Sequence, residues 1–336
     1  MNRREFLLAL GIAGCGTRAT PTQPVRRRPV DAGIDGTTIV DDWASPYQLR
    51  QSPLIVYGAK VARRTETELA FFDTVKLHRI DGVAVAYRTI CADHDAVLAF
   101  TRANGPCTIE RFEGVKSDGP LLVPGGCTSG DGSLMIVAGS SLFLSIGDDV
   151  LAAYRLDKDT VAEDGRIRLD DRTRDVSQLV GLADGRLLFP AGRSVRVYRA
   201  AKLIEELKSP ARIAHLAAGA SGRIWYSAWN EHDHIDRVVL AKLENGLPAI
   251  ASIEMRIVHL AAGADGGLAI LTVEQSGWSI VVLDRDGVEK QRLRIPPALA
   301  TAELGEAFVA LAATSVLLET RSHGLSGWSL GTGAPL

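Results

Sequence analysis

Between residues 213 and 294 short apolar runs alternate with polar turns, too closely spaced for helices and too regular for a linker. IAHLAAGASGRIWYSAW begins at Ile213 and IVHLAAGADGGLAILTV at Ile257, so an Ile-x-His-Leu-Ala-Ala-Gly-Ala-x-Gly phrase recurs 44 residues on. Each copy predicts four short strands. VHLAAG runs into an Asp-Gly turn, where glycine takes positive φ without a Cβ clash and aspartate bonds its own backbone. LAILTV follows, rich in β-branched residues, then SIVVLD, a second Asp-Gly turn at Asp286-Gly287, and VEKQRLRI.

Weaker copies extend the pattern. Val176, Gln178, Leu179, Asp184 and Gly185 align with Ile213, His215, Leu216, Ser221 and Gly222. Asp131-Gly132 before SLMIVAG and the Asp93 to Asp95 turn before AVLAF keep the turn-then-strand half, and Ser276-Gly277-Trp278-Ser279 is echoed at Ser326-Gly327-Trp328-Ser329. A period of about 40–45 residues with four strands per unit is the mark of a propeller blade. Only Ala200 to Lys208 reads as helical, a candidate connector.

The predicted fold is all-β, a single propeller over 37–330. On these turns and strands the chain resembles bacterial β-propellers of the broad NHL-like and WD-type repeat class, without the Trp-Asp dipeptide of WD repeats. Turns near residues 94, 131, 184, 221, 265 and 314 give six units, and PLIVYGAKVARR with ELAFFDTV and KLHRI gives a seventh at the front. Seven four-stranded blades are preferred, six and eight being the alternatives. After Phe308, Val316 and Trp328 the last unit stops one strand short. Thr37 to Trp43, TTIVDDW, is the expected outer strand that closes the ring.

The first residues, MNRREFLLALGIAGCGTRATPTQP, break the rhythm. Their apolar run from Phe6 to Ala13 is far short of the roughly 20 residues that span a bilayer. Arg3 and Arg4, a short apolar stretch opened by Phe6 and Leu7, and the small pair Ala13-Gly14 predict a secretory signal over 1–14. Ile12-Ala13-Gly14-Cys15 resembles the lipobox of bacterial lipoproteins, and Arg3-Arg4-Glu5-Phe6-Leu7 resembles the twin-arginine export motif. The resemblance implies cleavage before Cys15, a diacylglycerol thioether and palmitate-type acylation there. It also implies an extended tether over 15–36 and a propeller on the outer side of the membrane. Residues 331–336 are left as a tail.

Net charge is −2, or −3 once the leader's Arg3, Arg4 and Glu5 are removed, and the body carries no basic stripe along its sequence. Nucleic acid is therefore not an expected partner. A hydrophobic share of 46% with 23% charged residues is ordinary for a chain with a proper core. With Cys15 assigned to lipid, Cys91, Cys107 and Cys127 remain, and an odd count outside the cytoplasm predicts one disulfide and one buried thiol. Cys107 and Cys127, beside predicted turns, are the expected pair.

In a propeller the fourth-to-first and second-to-third connections share one face, the expected binding face. Gln178, His215 and His259 fall near the starts of first strands. His232, Asp233, His234, Asp236 and His323 fall in or beside second-to-third loops. His232, His234 and Asp236 suit zinc or manganese by ligand type, the alternative being a solvated hairpin tip. His215 and His259 are expected to bond within the repeat, as the histidine of WD-type blades does. No nucleophile motif stands out and no catalytic residue is assigned. The expected function is a lipid-anchored module that binds a protein or glycan at the cell envelope and needs no cofactor. The alternative is a metal-dependent envelope hydrolase or lyase on the same face.

Overall fold

The computed structural model describes residues 52–336 apart from 86, 94, 102–105, 126–133, 147–149, 158–159, 170–178, 230–235, 300–306 and 321–322, with the strand pairing of 27–28 and 39–40. Seven antiparallel sheets follow one another along the chain, at 54–83, 89–122, 135–168, 180–208, 212–254, 257–294 and 308–329. The first six have four strands, each paired with its sequence neighbour, and the seventh has three. Among the described residues there is no helix.

The first strand of every sheet is innermost. Leu54–Tyr57, Thr89–Asp93, Met135–Ala138, Val180–Gly181, Arg212–Ala218, Ile257–Ala262 and Phe308–Leu311 touch in that order, and Phe308–Leu311 meets Leu54–Tyr57 to complete the ring. Each sheet is thus a blade of a seven-bladed β-propeller. Middle strands are apolar on both faces because each blade is sandwiched between two others. Leu268–Glu274 and Gly277–Leu283 in blade six are buried almost throughout, whereas the outer strand Glu289–Arg294 alternates with solvent. A register shift interrupts the outermost pairing of all six four-stranded blades, for example between Leu240 and Ala241. Such bulges add twist and blunt an exposed edge.

Close approach of blades needs glycine, as two of the tightest places show. A Cβ on Gly181, in the innermost strand of blade four, would stand 1.8 Å from the Val137 carbonyl oxygen of blade three. Gly266, at φ +84, would bring its Cβ to 2.4 Å from Ala220 N in blade five. The buried indole of Trp225 in blade five donates to Gly266 O at 3.0 Å, which fixes the two blades in register.

Two expectations are corrected. Residues 202–208 form a strand, Lys202–Lys208, paired with Ser194–Arg199, not a helix. Leu203, Ile204 and Leu207 have helical spacing, but the open outer edge of blade four overrides that local preference. Leu207 is buried in the blade while Leu203 and Ile204 stay exposed. Of the segment expected to close the last blade, 37–43, the described Ile39–Val40 pairs with Arg27–Arg28 and not with that blade, whose sheet has three strands. The C-terminal residues turn back along Gly324–Ser329 instead. Trp328 bridges Pro335, Ser329 N donates to Ala334 O at 2.9 Å and Leu336 N to Gly327 O at 3.0 Å. A chain end already beside that edge closes a shorter loop than one arriving from a remote terminus.

The seam between last and first blades has the smallest apolar cluster, Leu54, Val61, Ala310 and Leu317. A polar clamp supplements it. Arg63 of blade one holds Glu319 of blade seven bidentately, with Nε 3.0 Å from both carboxylate oxygens and Nη2 2.8 Å from Oε1. Burial raises the Glu319 carboxyl above the usual range, and Arg63 opposes that shift. Ser315 Oγ donates to Thr74 O at 2.7 Å beside it.

Candidate functional site: one face of the ring

First strands begin, and second strands end, on the same face of the ring. The longest connections, 123–134, 169–179 and 295–307, all leave there, whereas the opposite face has tight turns such as Gly58-Ala59 and Gly139-Ser140. This is the face on which sequence places the binding residues.

His215 and His259 occupy equivalent places near the starts of the innermost strands Arg212–Ala218 and Ile257–Ala262, each beside a register shift. Their bonds differ. His215 stays within its blade: its backbone N donates to Ser227 Oγ at 2.8 Å, and its Nδ1 lies 2.9 Å from the same oxygen. His259 reaches the next blade, where Nδ1 accepts from Val309 N at 3.2 Å and the ring meets Phe308 edge-on at 5.2 Å. An Nδ1 that accepts an amide proton carries none of its own, so His259 is the neutral Nε2–H tautomer. Burial drives the His215 pKa down to about 4, and burial, with His215 adding a smaller push, drives that of His259 to about 3. The structure therefore brings these two histidines together as neutral rings built into the ring of blades.

The other sequence-predicted residues are more scattered. Asp236 opens the third strand Asp236–Lys242 of blade five, opposite Trp229, and its carbonyl accepts Met255 N at 3.1 Å. His323 is exposed in the second-to-third turn of blade seven, its N donating to Thr320 Oγ1 at 3.2 Å. Gln178, His232, Asp233, His234, Cys127 and Cys15, with Arg3, Arg4 and the rest of the leader, lie outside the described residues. Cys107 is disulfide-bonded, and Cys91 is the buried free thiol, its ionisation pushed up by burial and then by Asp93. Among the described residues no group of three His, Cys, Asp or Glu side chains is arranged to hold a metal.

A cleft opens on this face between blades five and six. Ile253, Met255 and Val273 give it apolar surface, and Glu254, Arg256, Glu274 and Arg292 give it charge. The charges are largely paired, Arg237 with Glu254 at 2.8 Å and Arg292 with both Glu274 and Glu289. Such a surface suits a docked side chain more than a reaction.

Sequence reasoning missed the arginines of this face. Arg212 and Arg256 precede the repeated isoleucine in both copies, so the phrase begins Arg-Ile-x-His-Leu, and the repeat itself was the signal that marks them.

No protein-family profile and no curated protein matches the chain. Solved structures do. Hsv2 of Kluyveromyces lactis is similar with a TM-score of 0.59 at 10% identity, over 83% of this chain and 93% of that one. The WD40 repeats of RRP9 are similar with a TM-score of 0.51 at 10% identity, over 81% and 89%. U3-55K gives 0.50 at 10%, over 81% and 90%. The fold is a WD40-like, seven-bladed β-propeller. At such identities the likeness shows the fold alone.

Proposed function

We propose that this WD40-like propeller is a binding and scaffold module for a protein or glycan partner, held at the cell envelope by a lipid on Cys15. One observation carries the binding reading. A closed ring of buried strands presents its longest connections and its cleft on a single face, the arrangement in which loops on a rigid support recognise partners. WD40-type neighbours in fold agree with it. The anchor rests on the sequence Ile12-Ala13-Gly14-Cys15 and the basic start before it.

Affinity capture from solubilised envelopes tests the first part. The wild-type chain is expected to retain a partner that a variant with 170–178 replaced by a Gly-Ser linker releases; identical capture by both removes the loop face from the function. Fractionation tests the second. Cys15→Ala is expected to leave the membrane fraction, and a variant that stays there overturns the lipid anchor.

A further inference from the structure

The turn between the third and fourth strands of blade five, Asp236–Lys242 and Ala249–Glu254, holds Asn245, the one asparagine among the described residues, and Gly246 directly follows it. Leu247 N donates to Glu244 O at 2.9 Å, so Asn245 and Gly246 are the central pair of a tight turn. Gly246 at φ +84 and Leu247 at φ +42 both stand in the left-handed region. Leucine adopts that region at a cost, and here its side chain, 1% exposed, is locked in the core between blades four and five. Lys242 N to Pro248 O at 3.1 Å and Leu243 N to Gly222 O at 2.9 Å fix the flanks.

Asn245 and Gly246 are themselves exposed. Asn245 Oδ1 accepts Lys208 N, at the end of the outer strand Lys202–Lys208 of blade four, at 3.3 Å. A backbone N–H can meet only the oxygen of a side-chain amide, so this bond fixes which way the amide points. The Gly246 N–H meets no acceptor among the described residues, and a Cβ on Gly246 would have nothing within 4 Å. The backbone nitrogen next to the Asn245 side chain is therefore unengaged, unshielded by a side chain of its own and open to water.

We propose that Asn245-Gly246 is a self-modification site, at which the folded turn converts Asn245 to aspartate and isoaspartate through a cyclic imide. Gly246 N gives its proton to hydroxide and bonds to Asn245 Cγ. The Cγ–Nδ2 bond breaks, and Nδ2 leaves as ammonia with a proton returned by water. A second water opens the imide. Cleavage of the new Cγ–N bond gives aspartate, whereas cleavage of the original backbone C–N bond routes the chain through Cγ and gives isoaspartate. One water is consumed and one ammonia released, with no oxidant or reductant. The Lys208 N–H on Oδ1 draws electron density from Cγ and stabilises the charge that develops on that oxygen during attack. Each product puts a negative charge at the junction of blades four and five. Isoaspartate also lengthens the backbone beside Leu247, so it is the form that loosens the junction. The proposal stands apart from the binding reading.

Incubation of the folded full chain in oxygen-18 water at mildly alkaline pH, followed by trypsin and mass spectrometry, tests it. Cleavage after Lys242 and Arg256 releases residues 243–256, separate from the chain's other Asn-Gly pair at Asn104-Gly105. This peptide is expected to gain one labelled carboxylate oxygen, to resolve into aspartyl and isoaspartyl forms, and to convert faster as pH rises. Asn245→Gln, at an exposed position, is expected to abolish the conversion, because its longer side chain would have to close a larger ring. A native chain that stays unconverted while the same chain unfolded in urea converts overturns the proposal, and so does equal conversion of wild type and Asn245→Gln. Asn245→Asp adds the charge without lengthening the backbone and is expected to keep a higher urea midpoint than the isolated isoaspartyl chain. Equal midpoints overturn the loosening of the junction.

Discussion

Gly181 shows how one residue sets the distance between blades. Its missing Cβ lets the innermost strand of blade four lie against Val137 of blade three, so Gly181→Ala is expected to cost about 3 kcal/mol or more through a backbone clash at 1.8 Å. Urea unfolding measures this, and an unchanged midpoint would mean the blades yield freely. The paired histidines make a second prediction. Below pH 6.5 the unfolded chain protonates His215 and His259, while the folded ring resists down to about 4 and about 3. The unfolded state then binds more protons, so stability falls as pH drops from 6.5 toward 4, by up to about 1.4 kcal/mol per pH unit for each histidine. His259→Gln is expected to flatten that slope in urea titrations between pH 7 and 4. Sequence placed both rings at the right strand and face. It left their partners, Ser227 and Val309, unread, because those bonds depend on a strand in another register or another blade.

Strands were the most legible elements. Asp-Gly turns and β-branched runs place Leu268–Glu274 and Gly277–Leu283 directly, because their period of two and their turn chemistry are local. Lys202–Lys208 was misread because an exposed outer strand has no apolar alternation to show. The edge of the last blade was misread for a different reason, since which end of the chain covers Gly324–Ser329 depends on proximity and not on β-propensity. Loss of residues 331–336 would remove the backbone bonds to Gly327 and Ser329 and uncover Trp328, 7% exposed in the fold. A chain ending at Leu330 is expected to lose about 1–3 kcal/mol and to show red-shifted tryptophan emission. Unchanged emission would show that the tail does not shield the edge.

At the scale of the whole molecule, closure depends on one seam. Its apolar cluster is small, so the Arg63–Glu319 clamp has a larger share of the work than an ion pair on an open surface. Arg63→Ala leaves a 7%-exposed carboxylate without its partner and is expected to cost about 3 kcal/mol. Calorimetry distinguishes the outcomes: a lowered single transition supports a ring that unfolds as one unit, and an unchanged transition removes the clamp from closure.

The sequence by itself determined most of the strands, the blade period and the face that carries the long connections, because turn chemistry and hydrophobic alternation act over a few residues and repeat; it preferred seven blades over six or eight, and the closed ring of sheets decided it. Only the tertiary structure decided what lies side by side across hundreds of residues. It joined Arg63 to Glu319 and set the C-terminal segment against the last blade. Those neighbours are created by bending the chain into a circle, and no window of local sequence contains that curvature.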